Sequence, residues 1–203
     1  MKILIEAIPR SGSTALLNAL GKIYNCRVIT EPWVKLNKHK TLTENFLEKT
    51  KLKNVIVKCM ASQTPSDGKY EDRLEIHTRF AKQFDMLIYL GRKSKKEQVE
   101  SFVHAIKYNK QPSEWHGKYT FKDNIQSKDY DAYGEQYESH MSDLKLLANN
   151  VKSEIIWYED LFSGNEDVVN NCLKNLPDKV SYSSLKKYID PILKYRTLDK
   201  ILI

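Results

Sequence analysis

The chain has 203 residues, of which 41% are hydrophobic and 29% charged, the makeup of a soluble globular protein of one domain able to bury a sizeable core. Its formal net charge of +7 and pI near 9.1 admit an anionic small ligand, nucleic acid or an anionic surface, but no run of Lys or Arg exceeds two residues, which argues against a polybasic arm. Cys26, Cys59 and Cys172 stand far apart with no CxxC pair, which argues against a zinc site or a disulfide framework and fits a reducing cytoplasm, with Cys59 and Cys172 as buried thiols.

The first predicted strand, residues 2–8, ends at Pro9. The turn Arg10-Ser11-Gly12-Ser13-Thr14 follows, and an apolar helical pattern starts at Ala15. Strand, turn and helix in this order leave backbone N–H groups without partners at the positive end of a helix dipole, a site that attracts anions. Arg10 adds a fork of donors, and the hydroxyls of Ser11, Ser13 and Thr14 add more. The natural guest is a phosphate; the plain alternative is an ordinary turn with a helix cap. The triphosphate loop G-x-x-x-x-G-K-[ST] is absent, because Ser13 follows Gly12 where that loop has lysine. Glu6 and Arg10 interrupt the apolar run, so the N-terminus does not read as a signal peptide.

Further strands are predicted at residues 27–30, 54–60, 86–91 and 153–158, several of them apolar on both faces. Val99, Phe102, Val103 and Ile106 follow a helical period, as do Tyr137, Met141, Leu144 and Ala148, and again Val169, Cys172, Leu173 and Leu176. Residues 107–132 show no clear period and form a long polar loop, either an acceptor wall or lid or a surface excursion. The tail after Ser181 carries Lys186, Lys187, Lys194 and Arg196. Alternating strands and helices predict an α/β fold, a doubly wound parallel sheet flanked by helices, with ligands at the C-terminal strand ends. No stretch approaches the ~20 apolar residues that span a bilayer.

Five segments in the same order resemble the sulfotransferases that use 3′-phosphoadenosine 5′-phosphosulfate (PAPS). Pro9-Arg10-Ser11-Gly12-Ser13-Thr14 is similar to the loop that holds the donor's 5′-phosphosulfate. Glu31-Pro32-Trp33 is similar to the E-P-x-W segment of carbohydrate sulfotransferases and to the glutamate segment of bacterial glycolipid sulfotransferases. Val55-Ile56-Val57-Lys58 matches a strand ending in lysine. Residues 86–105 resemble the strand, loop and helix that bind the 3′-phosphate through an arginine and a serine. Ile155–Leu161 is similar to a strand ending in Y-E-D-L. The family usually sets eight positions between that arginine and serine; here Arg92 to Ser101 is nine and Lys93 to Ser101 is eight. Arg92 is preferred for its planar fork, with Lys93 as the alternative.

The resemblance implies a sulfotransferase that moves a sulfuryl group from PAPS to a hydroxyl of a carbohydrate, glycolipid or small metabolite, leaving adenosine 3′,5′-bisphosphate (PAP). Glu31 is the matching general base, with Arg10 and Lys58 assisting. Arg10, Ser11, Gly12, Ser13, Thr14, Arg92, Ser101 and Tyr158 are the matching donor-binding residues, Tyr158 near the adenine. The expected protein is cytoplasmic, has no membrane anchor and requires no metal, with no nucleic acid partner. Each residue also has an ordinary role: Glu31 as a cap or salt-bridge carboxylate, Lys58 as a solvated lysine, Ser101 as a helix serine, Tyr158 as packing. Two other readings stay open, an ATP-dependent small-molecule kinase or other phosphotransferase, and a noncatalytic nucleotide or nucleic-acid binding protein. A serine hydrolase lacks its G-x-S-x-G turn. His39, His77, His104, His116 and His140 are scattered, and Trp115-His116 is either a sugar contact or an exposed loop pair.

Overall fold

The computed structural model describes residues 1–33, 51–63, 73–108, 127–176 and 180–189. Its centre is strand β1 (Lys2–Ala7), which beyond the half-buried Lys2 is apolar on both faces except at Glu6, as a strand covered on both sides must be. Pro9, which has no N–H to extend a ladder, follows the last strand contact, from Ile8 N to the Leu90 carbonyl. Helix α1 (Ser13–Tyr24) comes next and stops at Asn25, whose left-handed φ of 51° suits an asparagine after a helix. Then come β2 (Arg27–Thr30) and β3 (Val55–Met60). Helix α2 (Arg73–Ala81), β4 (Met86–Gly91), α3 (Lys95–Tyr108) and α4 (Ser127–Asn150) follow. Strand β5 (Ile155–Trp157), the single turn α5 (Tyr158–Leu161), α6 (Glu166–Leu173) and α7 (Tyr182–Tyr188) complete the described elements.

The five strands form one all-parallel sheet in the order β2-β3-β1-β4-β5. Ile3, Ile5 and Ala7 of β1 join Leu16, Leu17 and Leu20 of α1, with Val169, Leu173 and Leu185 of α6 and α7, in a core on one face. On the other face Leu4 packs with Ile76 and Phe80 of α2, and Ile8 with Val99, Val103, Tyr137 and Met141 of α3 and α4. Because β3 and β4 flank β1, the chain changes direction along the sheet at β1, and the loops after β1, β3 and β4 meet at its C-terminal end. That is where ligands enter sheets of this type.

Some expectations need correction. Of the loop expected at 107–132, residues 107–108 end α3, 109–126 lie outside the described residues, and 127–132 open α4, which begins at Ser127 with Asp129 in its first turn, where a carboxylate complements the helix dipole. The tail contains α7, whose Ser181 hydroxyl and Ser184 form a capping box. Cys59 is buried, but Cys172 is only half-buried. Ile106 keeps the helical period yet is exposed. His39, Trp115, His116, Lys194 and Arg196 lie outside the described residues. No described helix is long and apolar enough to cross a membrane.

Candidate active site

The turn after β1 is built on two left-handed residues. Arg10 has φ 64° and Gly12 φ 76°. A Cβ on Gly12 would lie 2.7 Å from Phe162 Cε2 and 2.9 Å from Tyr158 Cδ2, so glycine is required both by conformation and by space. The buried Ser11 hydroxyl donates to the Ile8 carbonyl at 2.8 Å, which closes the turn and commits that hydroxyl to the backbone. No side chain caps the start of α1, and the first bond along the helix runs from Leu16 N to the Gly12 carbonyl. The leading N–H groups of α1 therefore have no partner within the helix and lie at its positive end.

On the α1 side of this turn stands Lys58, on β3 and 1% exposed. A buried ammonium must be paired. Its Nζ donates to Glu31 Oε1 at 2.6 Å and to Thr14 Oγ1 at 3.1 Å. Glu31 follows β2, adopts φ 46°, and is tied to β3 by a bond from its N–H to the Lys58 carbonyl. Its second oxygen accepts from Gln63 Nε2 at 3.2 Å. A non-glycine residue with positive φ stores about 1–3 kcal/mol and persists where its surroundings over-determine it. Here Lys58, Gln63 and the buried Trp33 two residues on supply that determination. Of the remaining such residues, Asn25, Lys51 and Lys152, each sits in a turn or helix end remote from these contacts.

On the other side, Arg10 Nε donates to Ser101 Oγ of α3 at 2.9 Å. Arg92, after β4, is 8% exposed and lies under the turn. Its Nη1 donates to the Arg10 carbonyl at 3.0 Å, its Nη2 to Glu97 at 3.1 Å, and its guanidinium stacks on the Tyr158 ring at 4.5 Å. Glu159 lies 3.7 Å from Arg92 Nε and accepts from the N–H groups of Lys93 and Ser94. Lys93 itself pairs with Asp160. Arg92 thus braces the loop from below, flanked by two carboxylates. Tyr158 is the first residue of α5, its ring between Arg92 and Phe162.

The structure therefore brings Arg10, Ser11, Gly12, Ser13, Thr14, Glu31 and Lys58 together at one end of the sheet, with Ser101, Arg92 and Tyr158 around the same turn. Gln63 and Glu97 were not singled out by sequence, and Glu159 was read only as part of the Y-E-D-L segment, with no role of its own. Gln63 lies 32 residues from its partner Glu31, and no local pattern marks it. Glu6 carried a readable signal, a charge within a strand that is apolar from Ile3 to Ala7 apart from it. Among the described residues no group of three His, Cys, Asp or Glu could hold a metal ion. No family model matches the chain, and no curated protein matches it.

Proposed function

We propose that the chain is a single-domain, cytoplasmic sulfotransferase that moves the sulfuryl group of PAPS to a hydroxyl of a carbohydrate, glycolipid or small metabolite, releasing PAP. The observation that carries this reading is Lys58 Nζ, within 2.6 Å of Glu31 and 3.1 Å of Thr14. One buried cation joins a carboxylate base to the mouth of an uncapped helix preceded by an arginine turn. The donor supplies the sulfuryl group and a phosphate leaving group. Arg10, Lys58 and the N–H groups of α1 bear the charge that grows on the leaving oxygen as its bond to sulfur breaks. Glu31 takes the proton from the acceptor hydroxyl as that oxygen bonds to sulfur. Lys58 also aims the carboxylate, so that little reorientation is left to the reaction itself.

A 3′-phosphate near Ser101 would meet Arg10 first, with Arg92 behind it holding the Arg10 carbonyl. Tyr158 supports Gly12 from beneath, and its assignment to adenine requires the Arg92 guanidinium to leave its face. The phosphotransferase reading finds less support, because Ser13 stands where the triphosphate loop has its lysine. Glu31→Gln keeps the shape and removes the base. Labelled-sulfate transfer from PAPS should fall by about two powers of ten or more, while the affinity for PAP is kept. Transfer at the normal rate would remove Glu31 from this role.

A further inference from the structure

A second buried polar pair lies on the opposite face of the sheet from Lys58. Glu6, next to the C-terminal end of β1 and 1% exposed, meets His77 of α2, also 1% exposed, at 2.8 Å between Oε1 and Nδ1. The other ring nitrogen, Nε2, lies 2.6 Å from the Gln63 carbonyl. A carbonyl only accepts, so Nε2 carries a proton. A proton must also sit between Nδ1 and Glu6, since two acceptors do not approach to that distance. Burial alone would lower the pKa of His77, but the Glu6 carboxylate, its hydrogen bond and the Gln63 carbonyl together raise it above the ordinary value, against Arg73. Cys59 and Tyr89 flank Glu6 on the neighbouring strands, and both are held protonated by burial and by that carboxylate. The His77 ring also stands edge-on to Trp33, with centroids 4.8 Å apart.

We infer that His77 is a positioning residue: clamped by Glu6, it fixes the Gln63 carbonyl and so keeps the Gln63 amide on Glu31, while its ring seats Trp33 two residues beyond. The line runs from Glu6 through His77 and Gln63 to Glu31, from one face of the sheet to the other across its C-terminal edge. This inference rests on Glu31 being the base, but the link from His77 to Gln63 is measurable without turnover.

The test uses the full chain and two readouts, the side-chain amide resonance of Gln63 by NMR and the kinetics of sulfate transfer. His77→Asn keeps an amide near Glu6 and loses the reach to the Gln63 carbonyl. The Gln63 amide signal should move toward that of a solvated amide, as it should in Glu31→Gln. Transfer should lose about tenfold to a hundredfold in kcat, the scale of a small misplacement, with KM for PAPS unchanged. Combining His77→Asn with Gln63→Ala should cost no more than the worse single change. The paired change Glu6→Gln with His77→Gln removes the buried charge and keeps a donor toward Gln63, and should restore both readouts. An unmoved Gln63 amide in His77→Asn, additive losses, or no restoration by the paired change would each overturn the inference. A wild-type chain that transfers no sulfate would defeat the sulfotransferase reading alone, and the amide signal would still decide the link.

Discussion

Gly12 shows how few residue types the turn after β1 tolerates. Its φ of 76° places it where a side chain is strained, and Tyr158 and Phe162 fill the space a Cβ would enter. Gly12→Ala should destabilise the fold by about 1–3 kcal/mol through strain and overpacking, read as a lower urea midpoint at unchanged slope, and should weaken PAP binding. An unchanged midpoint would mean that the turn relaxes freely. The loop residues were legible because strand, glycine turn and helix are adjacent in sequence. Glu31 and Lys58 were legible as individual candidates, but their bond was not, because it joins the ends of two different strands. Arg92 was read as a phosphate ligand, and its buried place under Arg10 depends on Glu97, Glu159 and Tyr158, which only the fold assembles.

At the scale of elements, the first four strands were read nearly to their ends, since runs such as Val55–Met60 are buried along almost their whole length, but the last, expected at 153–158, spans only Ile155–Trp157, and Tyr158 opens a helix and does not end the strand. Helix α2 escaped notice: Arg73, Glu75, His77 and Arg79 make it polar, and its buried side comprises only Ile76, His77, Phe80 and Ala81. Its role as a carrier of His77 was invisible for the same reason. The short turn α5 has a structural task that its Y-E-D-L sequence does not announce. Glu159 accepts from Lys93 N at 2.9 Å and Ser94 N at 3.1 Å, which fastens α5 to the start of α3 and neutralises Arg92. Glu159→Ala should cost about 1.5–3 kcal/mol in urea unfolding, because charged hydrogen bonds are lost and Arg92 keeps fewer partners. A loss within about 0.5 kcal/mol, that of an ordinary surface change, would show that the fastening contributes little.

For the molecule as a whole, alternating strands and helices pointed to a parallel sheet, but strand order was not readable from them. That order, with β1 between β3 and β4, is what converges Arg10, Glu31, Lys58 and Ser101 on one edge. On the proposed function, this edge binds a nucleotide with phosphates at both the 5′ and 3′ positions. The decisive experiment is calorimetric titration of the full chain with PAP, without magnesium. The expected result is one site that binds PAP about tenfold or more tighter than adenosine 5′-phosphate, the worth of one charged hydrogen-bonded pair, with magnesium-ATP no better than adenosine 5′-phosphate. Tighter binding of magnesium-ATP, or no binding of PAP, would rule out PAPS as the donor at this edge.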